Sequence, residues 1–240
     1  MRIGVIGCGT IASAVVRGIA MDGHSIVVSE RSATYANALA AEFTNVSVAD
    51  NQAVIDASDV IFLGLMAEAA PAILGPLKFR EGQRLISFMA NATLAEADAM
   101  VHPAQVVALM MPFPGIAHGG SPIMMQGDVG LVDALFGARN SIFPLKTSQE
   151  MAAYLCAQAV LSPVARLVND AAQWLGERVD DPQQGEAFLR TLVAANLSNQ
   201  DSAALIEALN TPGGYNQHLR MHMEDSGMRE TLRAGLDRLE

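Results

Sequence analysis

The stretch RIGVIGCGTIASAVVRGIA, Arg2 to Ala20, decides how the rest of the chain is read. Residues 2–6 suit a short strand buried on both faces. Gly7 and Gly9 follow, then Ala12, then a helical run. This spacing fits G-x-G-x-x-G/A in the context that gives it meaning, after a strand and opening a helix. The first glycine permits the tight turn, the second lets backbone approach a pyrophosphate, and the small third residue lets helix and strand pack closely. Thr10 and Ile11 lie where the free N–H groups and partial positive charge of the helix start gather. The stretch therefore predicts a dinucleotide loop made of Gly7, Gly9, Thr10, Ile11 and Ala12. The plainer reading is an ordinary strand-to-helix turn.

Working outward, strand and helix patterns alternate to about residue 146. Strands are expected at 2–6, 25–29, 46–48, 60–65, 84–88 and 106–109, with two more at 123–126 and 141–145. Helices are expected at 11–21, 35–42, 51–57, 68–77 and 94–100. Such alternation means crossover units and a mostly parallel sheet. The pattern then changes at TSQE, Thr147 to Glu150, a capping-box sequence. Beyond it only helical periodicity is found, with Pro163 expected to kink or split the first long run. These helices are too apolar to stand alone, and a partner subunit is the natural cover. The expected fold class is α/β: a Rossmann-type, mostly parallel sheet domain over 1–146, followed by an all-helical dimerisation and substrate domain over 147–240.

Composition bounds the function. The 240 residues are 51% hydrophobic and 17% charged, enough for a substantial core, and the net charge is −10. That charge argues against general binding to nucleic acid or to an anionic membrane. No window holds the roughly 20 unbroken apolar residues of a spanning helix, and no leader is read at the N-terminus. A soluble, cytoplasmic protein is expected. Cys8 and Cys156 are far apart, which indicates neither a disulfide scaffold nor a metal site. Cys8 sits where a helix start can lower a thiol pKa, against the plainer reading of a small loop filler.

A second cofactor signal is VVSERS at the end of the second strand. Glu30 is placed to accept hydrogen bonds from ribose hydroxyls, which favours NAD(H). Arg31 and Ser32 are a pair able to hold a 2′-phosphate, which favours NADP(H). Here the two cues conflict; NADP(H) is favoured and NAD(H) stays open.

With these residues in hand, the chain resembles the pyrroline-5-carboxylate reductases over nearly its whole length. IGVIGCGTIASAVVRGI resembles the family's opening, and SERS resembles its Asn-Arg-Ser turn. DNQAVIDASDVIFLGL resembles its Asn-x-x-Val…Asp-Val stretch, which implies that Asn51 lies near the adenosine. LISFMANATL, VVALMMPFPGIAHGGSPIM and NTPGGYNQHLRMHMEDSGMRETL resemble its later segments. The resemblance implies hydride transfer from NAD(P)H to the C=N of a small imino acid, as in proline biosynthesis, and an interlocked homodimer formed by the C-terminal helices. It also places Leu65 and Met66, at the end of the fourth strand, in the cofactor set.

The departures concentrate in the substrate half. Met66-Ala67 replace a Lys-Pro, and Ala90-Asn91 an Ala-Gly. Met111-Pro112-Phe113-Pro114 shorten a Met-Pro-Asn-Thr-Pro. Leu161 replaces the serine of a Gly-Ser-Gly-Pro-Ala motif, and Tyr215-Asn216 replace two threonines after Pro-Gly-Gly. A site built on hydrogen bonds fails badly when its donors go, so either the substrate differs or the activity is lost.

Candidate substrate residues are Asn91, Ser162, Tyr215 and Asn216. For Ser162 the plainer reading is a hydroxyl bonded back to its own helix; for Tyr215 and Asn216 it is a capping turn with an aromatic staple. His118 is read either as a proton donor near the cofactor or, the favoured reading because no orienting acid is near in sequence, as part of a flexible exposed loop. His218 and His222 share a helix face without a third ligand, so no metal is expected. No catalytic acid is assigned. Two functions stay open: a reductase acting on a small imine or oxo acid, and a non-catalytic NAD(P)-binding redox sensor or partner-binding module.

Overall fold

A computed structural model describes residues 1–239. The chain divides into two compact units, the first Met1–Met151 and the second from Ala152 onward.

The first unit is built on one eight-stranded sheet in the order β3-β2-β1-β4-β5-β6-β7-β8. The strands are β1 Arg2–Ile6, β2 Ser25–Ser29, β3 Val46–Ala49, β4 Val60–Leu63, β5 Arg84–Ser87, β6 Gln105–Pro112, β7 Pro122–Gly127 and β8 Ser141–Pro144. The helices between them are α1 Thr10–Ile19, α2 Ala33–Glu42, α3 Asn51–Asp56, α4 Ala70–Leu74, α5 Leu94–Ala99 and α6 Val129–Phe136. The first six strands are parallel, β7 runs antiparallel to β6, and β8 runs parallel to β7. This is the α/β, Rossmann-type sheet that the sequence predicts, with strand order reversing between β1 and β4. VIFL of β4 is buried at every position, as a central strand covered on both faces requires. Its Phe62 packs with Ile3, Val5, Ile86, Ala108 and Met110 in the main apolar cluster.

Several element bounds differ from the sequence reading, and one helix is new. Residues 68–77 hold only the five-residue α4, because Pro71 lies in its first turn and Gly75-Pro76 end it. β6 extends three residues further, through Pro112, where its register with β7 runs Met111↔Met124 and Pro112↔Ile123. Helix α6 was not expected at all: Gly127, Gly130 and Gly137 make its sequence look like turns, yet the Asp128 carboxylate accepts the Leu131 N–H at 2.9 Å and starts it.

The capping box at Thr147 forms in part. Thr147 accepts the Glu150 N–H at 3.0 Å, and Glu150 returns to the N–H of Lys146 rather than to that of Thr147. From there α7 Ser148–Ala157, a 3₁₀ turn Gln158–Val160 and α8 Leu161–Gly176 run on without a break. The expected interruption at Pro163 is this turn: proline withholds the N–H that the Ala159 carbonyl would accept. The run Ser148–Gly176 is long and apolar enough to cross a membrane by length and composition, although Arg166 and Asp170 pair on its surface at 2.8 Å.

The second unit is helical throughout. α8 packs along α9 Pro182–Asn199, followed by α10 Ser202–Ala208, α11 Tyr215–Asp225 and α12 Met228–Leu236. Asp181 and Asp201 cap α9 and α10 through the N–H groups of Gln184 and Ala204, both at 3.0 Å. Caps of this kind fix where the helices begin, and the seam of α8 and α9 is lined by half-buried Val164, Val168, Leu175, Leu189 and Val193. Among its described residues only Leu205 is buried. Trp174 and Phe188 are each 60% exposed, and Leu192, Leu197 and Leu219 are exposed as well.

Candidate cofactor site at the carboxyl edge of the sheet

The loop after β1 is held by two close approaches. Gly7 has φ +86°, the left-handed region that favours glycine, and a Cβ there would meet the Gly64 carbonyl oxygen at 2.5 Å and Leu65 at 2.7 Å. A Cβ on Gly64 would in turn run into the Gly7 carbonyl oxygen and come within 2.9 Å of the Ala12 methyl. Gly7, Gly64 and Ala12 thus bring the β1 loop, the end of β4 and helix α1 together with no room for a side chain. The Gly7 N–H donates to the buried Ser29 hydroxyl at 2.9 Å, which ties the loop to the end of β2. The Gly64 N–H donates to the Ile6 carbonyl at 2.8 Å.

Gly9 differs from Gly7. Its backbone is extended, with φ −91° and ψ −165°, and a Cβ there would meet nothing within 4 Å. The protein's own packing therefore gives no reason for glycine at this position, whereas an incoming group needing backbone contact does. Helix α1 begins beside it with no side-chain cap and no acid in its first turn. Its first intrahelical bond is Ser13 N–H to the Gly9 carbonyl at 2.9 Å. The N–H groups of Thr10, Ile11 and Ala12 thus have no bond within the helix and suit an anion.

Strand order places the other cofactor candidates along the same edge. β2 ends at Ser29 and passes into a 3₁₀ turn, Glu30–Ser32, before α2. Glu30 and Arg31 are exposed and Ser32 is half-buried. Neither Glu30 nor Arg31 is paired with a described residue. Asn51, half-buried, opens α3 directly after β3, behind the Asp50 cap. Beyond β4, Leu65 is buried against Gly7, while Met66 is 70% exposed.

The proposed substrate residues fall in different places. Asn91 is exposed just beyond β5. Phe113 is half-buried after β6, and the 3₁₀ turn Pro114–Ala117 behind it packs onto α1, where a Cβ on Gly18 would meet the Ile116 carbonyl at 2.7 Å. His118 ends this turn, exposed. Ser162, Tyr215 and Asn216 belong to the second unit. The Ser162 hydroxyl is exposed and makes no bond back to its helix. Tyr215 is 95% exposed at the start of α11, so it staples nothing in its own unit, and Asn216 beside it is exposed too. His218 and His222 are exposed on the same helix. Cys8 is buried, and burial pushes its thiol up to about 11, the opposite of an activated thiol.

Three residues that the sequence reading missed matter at this edge. Ser29 lies within the quoted SERS, but only the fold shows its hydroxyl under Gly7. Gly64, inside VIFLGL, gives no signal of its own until β4 is placed beside β1. Tyr35 reaches back from α2, its hydroxyl 3.0 Å from that of Thr10.

The family described as NADP oxidoreductase, coenzyme F420-dependent, matches residues 2–91, from β1 to just past β5. The chain matches no curated protein sequence. Among solved structures it is similar to the 1-pyrroline-5-carboxylate reductase of Streptococcus pyogenes, with 22% identity, TM-score 0.84, and coverage of 100% of this chain and 96% of that one. It is similar also to the pyrroline carboxylate reductase of Plasmodium falciparum with NADP bound, with 14% identity, TM-score 0.81, and coverage of 100% and 95%. An imine reductase from a Pseudomonas species superposes with TM-score 0.64 at 18% identity over 99% of this chain and 87% of that one. The likeness read from the sequence thus holds for the fold of the whole chain.

Proposed function

We propose that the chain is an NAD(P)H-dependent reductase that delivers hydride to the C=N of a small imine, or to a related oxo acid. The observation that carries this reading is the pairing of a closed loop with an open one. Gly7, Gly64 and Ala12 leave no space, while Gly9 faces space with free N–H groups beside it. A pyrophosphate fits the second place: it accepts hydrogen bonds from the α1 N–H groups and needs backbone approach at Gly9. Glu30, Arg31 and Ser32 would hold the adenosine ribose and its 2′-phosphate, with Asn51 near the adenosine and Leu65 and Met66 along the nicotinamide side. When bound, the nicotinamide supplies the hydride. The protein's part is to orient that ring, exclude water and hold the acceptor. A protonated imine needs no further acid, since hydride addition to it leaves a neutral amine.

The substrate is expected to differ from that of the structural neighbours. Leu161, 65% exposed, stands in place of the family's serine, and Met66 in place of its lysine. The first exchange removes a hydroxyl that a carboxylate would use. Retained pyrroline-5-carboxylate turnover would place the protein in proline synthesis.

The exposed apolar side chains of the second unit support a homodimer formed by these helices. The same reading covers the run Ser148–Gly176: Arg166, Asn169, Asp170 and Gln173 would be costly in lipid. The homodimer would therefore be cytoplasmic.

Calorimetric titration with NADPH and NADH tests the cofactor. An absorbance assay with pyrroline-5-carboxylate, uncharged cyclic imines and oxo acids then tests the substrate. Binding with turnover of any of them supports the enzyme; binding without turnover of any favours the sensor; no binding of either dinucleotide removes the proposal. Arg31→Ala is expected to weaken NADPH binding about tenfold or more and NADH binding little, since a charge-assisted bond contributes about 1.5–3 kcal/mol. Equal loss for both would take Arg31 out of the 2′-phosphate role.

A further inference from the structure

A side-chain bond at this loop joins Thr10, first residue of α1, to Tyr35, in the first turn of α2. Their hydroxyl oxygens are 3.0 Å apart. We propose that Tyr35 is a positioning residue for the dinucleotide pyrophosphate, acting through the Thr10 hydroxyl, an inference that rests on the cofactor reading above.

The direction of the bond follows from chemistry. A pyrophosphate offers only acceptor oxygens at neutral pH, so the hydrogen pointing to it must come from Thr10. The Thr10 oxygen is then left to accept, and the phenol is the donor. A hydroxyl that accepts one bond donates a stronger one, because the two dipoles polarise each other. The Thr10 backbone is fixed as well, since the Ser13 hydroxyl donates to its carbonyl at 2.9 Å. Tyr35 thus selects one rotor of a side chain whose backbone is already set. Tyr35 itself is 39% exposed, so its ring is not held there by core packing alone. The same bond links the Glu30–Ser32 turn, directly before α2, to the start of α1.

The experiment is a calorimetric double-mutant cycle with Tyr35→Phe, Thr10→Val and the pair, titrated with NADPH, with NADH and with adenosine 2′-monophosphate, which lacks a pyrophosphate. Tyr35→Phe is expected to weaken both dinucleotides by roughly 3- to 10-fold, the scale of one hydrogen bond, and to leave the monophosphate unchanged. In the Thr10→Val background it is expected to add nothing. A Tyr35→Phe protein that binds both dinucleotides as the parent does, or more tightly, overturns the proposal whatever its melting temperature. So does a loss confined to NADPH or shared by the monophosphate, which would mean direct contact with the adenosine half, and so does additivity in the cycle. A parent protein that binds neither dinucleotide overturns the cofactor reading itself, a result distinguishable from all of these.

Discussion

Gly64→Ala is expected to destabilise the first unit by about 1–3 kcal/mol, at the upper end of that range, and to abolish measurable dinucleotide binding. The new methyl would run into the Gly7 carbonyl oxygen and crowd the Ala12 methyl. Neither neighbour is the free end of a flexible side chain, so relief must come from moving the β1 loop or the start of α1. Both carry the groups that face the pyrophosphate. A loss of this size lowers the melting temperature of a chain this long by several degrees. Gly9→Ala is the matched comparison: its methyl meets nothing within 4 Å. That variant is expected to melt as the parent does and still to bind NADPH at least tenfold more weakly, because the methyl occupies space meant for the ligand. Thermal denaturation and calorimetric titration of the two variants check both halves. Gly64→Ala with parental stability would mean that the loops do not meet as described. Gly9→Ala with parental affinity would mean that nothing approaches Gly9.

The contrast between these glycines shows what the sequence makes legible. The motif read Gly7, Gly9 and Ala12 as one unit because their spacing along the chain is fixed. What it missed is across-chain: Gly64 lies far from Gly7 in sequence, and only the parallel pairing of β1 with β4 brings their backbones into contact. Ser29 is similar, an unremarked serine until β2 is set beside β1. The strands were legible because short apolar runs between turn residues have few alternative readings. Helix α6 was not, because Gly127, Gly130 and Gly137 break its apolar pattern and only the bond from the Leu131 N–H to Asp128 marks its start. Tyr215 had two readings that no pattern separates, and its 95% exposure removes one of them. The substrate half stays least legible, since departures from a motif say which groups are gone and not which groups a new ligand meets.

Phe188→Glu combined with Leu192→Glu is expected to convert the proposed dimer to a monomer whose helical unit no longer unfolds cooperatively. The two positions are four apart on α9, on one face, and are 60% and 46% exposed in the single chain. The second unit has only Leu205 buried among its described residues. Fixing each residue's backbone costs about 1–2 kcal/mol, and burying a large apolar side chain returns only about 1.5–3 kcal/mol. One fully buried leucine and the half-buried seam of α8 and α9 leave most of the unit's large apolar side chains in water, and the second copy of the proposed dimer would present the same face. Two carboxylates placed there would each have to be desolvated on association, a cost that no partner in this all-apolar pair of sites relieves. Sedimentation equilibrium should therefore give twice the chain mass for the parent and the chain mass for the variant. The parent's melting temperature should rise with protein concentration, as linkage to association requires. A parent that sediments as a monomer at micromolar concentration would remove the dimer itself, and a variant that keeps the doubled mass would show that this face of α9 is not where the copies meet.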